Sequence, residues 1–251
     1  MKYPVKNTLI VSSVFAIFLG GCNSDKNSGS QNIPASTEPD PTAQTTAQPT
    51  ATDTLAGTLD TAESAHLVFM REEEKLARDV YMTLSNLYPY SKVFVNIGEG
   101  SEQTHTDMVR DQLEAYDIAD PDPQTNALPA SIGIYTGEEF GRYFTEKYAY
   151  LTEWGSRSEL DALYVGAFIE ELDMHDIVEC PTYIVEQDNG ISECGMGYTD
   201  EMPLLNSYSA LIDGSKNHLR AFVGRIESII GEGNYVAQVI SQDEVNEILG
   251  R

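Results

Sequence analysis

Glu74, Glu102, His105, Glu170 and His218 are the residues whose types and spacing could do chemistry. Each interrupts an apolar helical stripe. Glu74 lies between Met70 and Ala77, Glu102 and His105 between Gly98 and Met108, Glu170 between Ala167 and Met174, and His218 between Leu211 and Phe222. An ionised carboxylate in an apolar interior is prohibitively costly without a partner, so several of them on facing helices imply a compensating charge. A pair of divalent or trivalent metal ions is the simplest such charge. Glu102 and His105 stand at i and i+3, one turn apart on one helix face, where a carboxylate can chelate or bridge while the imidazole donates a nitrogen to the same ion. Oxygen ligands with one imidazole per metal suit iron or manganese.

The elements that must position these residues read as four long amphipathic helices. The first runs from Thr61 to Leu87 with Leu67, Met70, Ala77, Tyr81 and Leu84 on its stripe; the second runs from about Phe94 to Tyr116 with Ile97, Met108, Val109 and Leu113. After Pro121, Pro123 and Pro129 comes a short helix from Glu138 to about Thr152. The third long helix starts after Ser158 as an N-cap and runs to Val178, and the fourth spans Met202 to Ile230 with Leu204, Tyr208, Leu211, Phe222, Ile226 and Ile229 inward. The connection near Pro89 is short, which makes helices one and two antiparallel neighbours. The passage between helices two and three is far longer than a hairpin needs, long enough to cross an all-α four-helix bundle and set helix three parallel to helix two. Thr182 to Glu193, with Asp188-Asn189-Gly190, reads as a small turn or hairpin, and Tyr235 to Leu249 as a last strand or short helix. Glu72 and Glu73 read as a solvated acidic face, Arg78 and Arg220 as exposed salt-bridge partners, and His66 and His175 as surface or satisfied histidines.

Several of these stretches resemble known families. Glu74-Lys75-Leu76-Ala77-Arg78-Asp79-Val80-Tyr81 is similar to the first-helix motif of rubrerythrin-type ferritin-like proteins, and Ser101-Glu102-Gln103-Thr104-His105 to their second-helix motif. With Gly166-Ala167-Phe168-Ile169-Glu170-Glu171-Leu172-Asp173 and Gly214-Ser215-Lys216-Asn217-His218-Leu219-Arg220-Ala221-Phe222, the pattern over about residues 60 to 230 resembles the domain of unknown function 2202. The resemblance implies a ferritin-like fold and a di-iron site, in a family without a settled activity. The chain departs from the full di-iron pattern at Ser215, where a Glu would stand three residues before His218. Asp173, one turn beyond Glu170, or Glu171 is then the expected replacement; a single-metal site or an inert remnant are the alternatives.

Ahead of the domain, Lys2 and Lys6 precede an apolar run from Leu9 to Leu19 that is too short for a stable membrane span. Leu19-Gly20-Gly21-Cys22 resembles the lipobox of bacterial lipoproteins, which implies a signal peptide over residues 1–21, cleavage before Cys22 and acyl chains on its thiol. Two or more acyl chains anchor stably where one does not. Residues 22–57 are almost wholly small and polar and cannot offset their ordering entropy, so they read as a lipid-anchored disordered linker with a reach of roughly 30 to 35 Å. The ferritin-like domain then spans residues 58–235, and residues 236–251 form a C-terminal extension. These features place the protein at the cell envelope, facing the periplasm or the exterior.

The formal charge is −25, and loss of Lys2 and Lys6 takes it to −27, which argues against nucleic acid and against lying on anionic lipid. Cys180 and Cys194 are the cysteines that remain after lipidation; in an oxidising compartment such a pair reads as a disulfide, the alternative being a Cys-based metal site that lacks further ligands in the loop. Three functions fit. The first is a di-iron or di-manganese oxidoreductase acting on peroxide, oxygen or ferrous iron; without rubredoxin-like Cys pairs it would need an external electron donor. The second is a metal-binding module that buffers or senses without turnover, and the third a protein-interaction domain. A homo-oligomer is compatible with all three.

Overall fold

The computed structural model describes residues 57–123 and 128–251. The expected signal peptide over residues 1–21, the expected lipidation at Cys22 and the expected linker up to residue 56 lie outside the described residues. Among those residues the secondary structure is helical throughout: α1 (Thr61–Leu87), α2 (Lys92–Val95), a π-helical turn (Asn96–Glu102), α3 (Gln103–Ala115), α4 (Gly141–Gly155), α5 (Glu159–Val178), α6 (Thr182–Val185), α7 (Met202–Ile230) and α8 (Gln242–Leu249).

Local chemistry sets the helix starts. Asp60 caps α1 by accepting from the Ala62 and Glu63 amides while the Glu63 carboxylate accepts from the Asp60 amide, a reciprocal box that satisfies orphan donors at both positions. Ser158 caps α5 through the Asp161 amide, as its position in the sequence predicts.

Cross-helix pairs fix the directions. Arg78 meets Gln103 and Glu74 meets His105, so α1 and α3 are antiparallel; Glu170 meets His218 and Asp173 meets Ser215, so α5 and α7 are antiparallel. Tyr81 of α1 bonds Glu170 of α5, whereas His66 bonds the Asp176 carbonyl further along, which makes this pair antiparallel too. Hence α3 and α5 run in the same direction, and the described residues 116–123 and 128–140 belong to the crossing that a parallel pair requires. Gly166 lets α5 and α7 approach closely: a Cβ there would fall 2.4 Å from the Phe222 ring.

That crossing explains the most surprising feature of α1. Arg71, Glu72, Glu73, Lys75, Arg78 and Asp79 are all buried. The crossing segment covers the side of α1 that the helices leave open: Lys75 Nζ lies 2.6 Å from Asp79 Oδ2 and 3.8 Å from the centre of the Tyr135 ring, the Gly133 amide donates to Asp79 at 2.9 Å, and Arg71 pairs with Asp120 at 3.2 Å. The expected solvated face at Glu72 and Glu73 is wrong: Glu72 is buried beside Asp122 of the crossing segment and Glu73 near Lys147 of α4 and Asp173 and Asp176 of α5, and Arg78 pairs with Asp79 in the interior rather than at the surface. Arg220 is exposed, donating to the Ile248 carbonyl and to Asn217.

Further differences concern detail. The second long helix runs as one helical stretch from Lys92 to Ala115, as the sequence predicts, but widens into a π-turn over Asn96–Glu102. No strand occurs among the described residues between Thr182 and Glu193; the segment forms α6 and turns, and the Cys180–Cys194 disulfide closes it. Ile229, placed on the inward stripe of α7, is 52% exposed, and its neighbour Ile230 packs against the core in its place.

Candidate metal centre

Glu74, Glu102, His105, Glu170, Asp173 and His218 come from α1, the π-turn, α3, α5 and α7, and all six are buried. Five of them, all but Asp173, form two groups joined by one carboxylate. His105 Nδ1 lies 3.3 Å from Glu74 Oε2 and 3.2 Å from Glu102 Oε2. His218 Nδ1 lies 2.7 Å from Glu102 Oε1 and 3.3 Å from Glu170 Oε2. Glu102 thus presents one oxygen to each imidazole. The two rings stack at 5.4 Å with an interplanar angle of 29°. Donor atoms of Glu102, His105 and His218 all lie within 4.8 Å of one another, close enough to share a cation.

Close approach is not the same as satisfaction. Glu74 Oε1, Glu102 Oε1, Asp173 Oδ1, His105 Nδ1 and His218 Nδ1 are buried without a hydrogen bond of acceptable geometry. Native interiors leave few such groups, and a set of them converging on one space is what a cation-binding centre requires. The donor set of carboxylate oxygens and two imidazoles fits hard or borderline cations, and the residues present therefore fit the metal expected from sequence.

The electrostatics point the same way. Burial pulls both imidazoles toward neutrality, but Glu102 and Glu74 beside His105 hold it at about 12, and Glu170 and Glu102 beside His218 hold it at about 10. In the absence of a cation, protons on the imidazoles supply the positive charge. Burial also lifts Glu74, Glu170 and Asp173 above the usual carboxylate range, with neighbouring carboxylates adding to the effect. Glu102 goes the other way: burial disfavours its charge, but the His105 and His218 imidazoliums override that and hold it below the usual range.

Neighbouring groups aim the carboxylates. Tyr81 donates to Glu170 Oε1 at 2.5 Å, and Ser215 donates to Asp173 Oδ2 at 2.5 Å, leaving Asp173 Oδ1 as the orphan. Ser215 and Asp173, on facing helices, thus share the position where a fourth glutamate was expected. Glu171 does not compete with Glu170. It faces the C-terminal segment and accepts from Tyr235 Oη and from the amides of Gln238, Val239 and Ile240 at 2.6 to 3.2 Å. His66 is buried and satisfied by Tyr208 Oη and the Asp176 carbonyl, away from the centre, and His175 is partly exposed beside Asp176.

Sequence reasoning missed two participants. Ser101 Oγ lies 2.7 Å from His218 Nε2. Gly214 packs so closely on His105 that a Cβ would fall 2.5 Å from the ring. The Gly98-Glu99-Gly100 run, unfavourable to an ordinary helix, is the signal that could have pointed to the irregular turn carrying Ser101.

Comparison with known proteins places this arrangement in a family. Residues 63–251 match the family described as "Uncharacterized protein domain (DUF2202)", a match that runs on through the segment clasping Glu171. The chain is 42% identical over 187 residues to the uncharacterized protein MJ0754 of Methanocaldococcus jannaschii, covering 74% of this chain and 86% of that protein. It is also similar to the crystal structure of the hypothetical protein MJ0754 from Methanococcus jannaschii, with a TM-score of 0.63, 38% identity, and coverage of 78% of this chain and 95% of that one. With three quarters of its length matched, the chain belongs to the DUF2202 family.

Proposed function

We propose that this protein is a ferritin-like metal-binding protein held at the cell envelope by lipid on Cys22, with a dinuclear iron or manganese centre. One observation carries the reading: Glu102 directs Oε2 to one glutamate–imidazole pair and Oε1 to a second, as a carboxylate between two cations would. Glu74 and His105 would hold one ion, Glu170 and His218 the other, with Asp173 Oδ1 free to join them. The up-down-down-up directions of α1, α3, α5 and α7, with a single crossing between α3 and α5, support the ferritin-like reading.

When bound, such metals supply Lewis-acid and one-electron chemistry suited to peroxide, oxygen or ferrous iron. The chain's own residues do the rest. Tyr81 keeps Glu170 turned to the centre, Glu102 would be shared between the two ions, and the Nδ1 atoms of both imidazoles would have to be unprotonated to hold them, so loading would be coupled to proton release. The burial of all six donors excludes bulk water and restricts access to small reactants. Turnover would draw electrons from an external donor.

Elemental analysis tests the reading. Protein expressed with iron or manganese and purified without chelator retains more than one metal per chain, and Glu102→Ala reduces that content. A value of one points to a mononuclear site, and no metal under any loading condition overturns the proposal. Anchoring is tested separately: Cys22→Ser releases the protein from the membrane fraction, and its full retention there would contradict the lipid anchor.

A further inference from the structure

We propose that Ser101 is a positioning residue of this centre, whose hydroxyl fixes the tautomer of His218 and so makes Nδ1 its metal-binding atom. The inference rests on the metal-centre reading and adds a group that the glutamate and histidine pattern does not contain.

An imidazole that binds a cation must be neutral, with a lone pair on the nitrogen facing the cation and its proton on the other. The group that accepts that proton decides which nitrogen is which. In His218 the inward nitrogen is Nδ1, between Glu102 Oε1 and Glu170 Oε2, and the outward Nε2 lies 2.7 Å from Ser101 Oγ. A serine hydroxyl can accept the Nε2–H, which leaves the Nδ1 lone pair pointing into the centre.

The π-turn explains how one stretch of chain reaches both edges of one ring. Ser101 and Glu102 are consecutive, yet the first meets Nε2 and the second Nδ1. A turn closed by i→i+5 bonds holds more residues per revolution than an α-turn, so neighbouring side chains diverge less around the axis. Both can then face α7. His105 is held differently, by contact of its ring with the backbone at Gly214. The two halves of the centre are consequently not equivalent: one imidazole is aligned by a hydrogen bond, the other by packing.

The test uses the full chain with zinc as a diamagnetic probe. Competition with a chelator gives the affinity of each equivalent, and nitrogen-15 NMR of histidine-labelled protein reports which ring nitrogen is protonated. In the wild type, His218 carries its proton on Nε2 and binds zinc through Nδ1. Ser101→Ala weakens one zinc equivalent by about 10- to 100-fold and leaves the other. Ser101→Thr, which keeps the hydroxyl, restores the affinity. Equal affinities in wild type and Ser101→Ala, with the same His218 tautomer, overturn the role of Ser101 while the metal centre stands. Absence of zinc binding by the wild type overturns both. A purely structural serine would lower both equivalents together without moving the tautomer, and that result also refutes the proposal.

Discussion

Glu170 and Glu171 are neighbours in sequence with opposite duties, and exchanging each for alanine separates them. The Glu171 carboxylate accepts one phenolic and three amide hydrogen bonds, all from residues 235–240, which tie the C-terminal segment to α5. In Glu171→Ala the three amides lose their acceptor in a partly buried setting. At about 1 to 1.5 kcal/mol for each, less some recovery by water, the loss is about 3 to 4 kcal/mol. For a domain of this size each kcal/mol shifts the melting temperature by about 2 to 4 °C, so a fall of about 6 to 16 °C is expected. Glu170→Ala removes a carboxylate whose burial penalty outweighs its pairing with His218 and its hydrogen bond from Tyr81, as its raised pKa reflects, so in metal-free protein the net change should be small. The assay is thermal unfolding by circular dichroism in chelator, beside metal content after loading. Glu171→Ala melts early yet retains metal, and Glu170→Ala melts near the wild type and loses metal. A Glu171→Ala protein that melts within about 2 °C of the wild type, or one that loses metal while Glu170→Ala keeps it, refutes the assignment.

Gly214→Ala brings a Cβ to 2.5 Å from the His105 ring, which must move by about 1 Å, far beyond the ±0.2 Å tolerance of a metal–ligand distance; calorimetric titration should show one metal equivalent weakened at least tenfold, and unchanged binding would count against His105 as a ligand. The pH dependence of the metal-free protein follows from the two imidazoles, which fold into sites that hold protons up to about 12 and about 10 against about 6.5 in the unfolded chain. Their contribution to stability is complete below about pH 6.5 and is lost as the pH rises through the folded values, so melting temperatures in chelator fall from pH 6.5 toward 10; a rise over that window contradicts the imidazolium–carboxylate pairing. Reduction of Cys180–Cys194, which closes a loop with a sequence separation of 14, removes about 3 kcal/mol in the chain-entropy model, and calorimetry with and without reductant should register the loss as a lower melting temperature.

The long helices were legible because their apolar period is regular: α1 has the ends Thr61 and Leu87, and α7 the ends Met202 and Ile230, that the stripes predict. The positions of the centre were legible for the opposite reason, since Glu74, Glu102, Glu170 and His218 break those stripes where apolar residues belong. Glu72, Glu73 and Arg78 were misread because a charged run on a helix ordinarily faces water; here Asp122 and Gly137 of the crossing segment lie beside Glu72, Asp173, Asp176 and Lys147 of the neighbouring helices lie near Glu73, and Gln103 of α3 meets Arg78. The choice between Glu170 and Glu171 depends on residues 235–240, nearly seventy positions away, which no local pattern on α5 encodes. The π-turn was hidden because helical periodicity assumes a constant rotation per residue, and a single wide turn shifts the phase of Ser101 without erasing the stripe around it.

The central claim is that Glu102 lies between two metal ions, one at each imidazole. Crystals of the loaded protein, measured at the absorption edge of iron or manganese, test it most directly. Two anomalous peaks are predicted, one bonded to His105 Nδ1 and Glu74, the other to His218 Nδ1 and Glu170, with an oxygen of Glu102 on each. A single peak, or none among these residues in protein shown to be saturated with metal, contradicts the account.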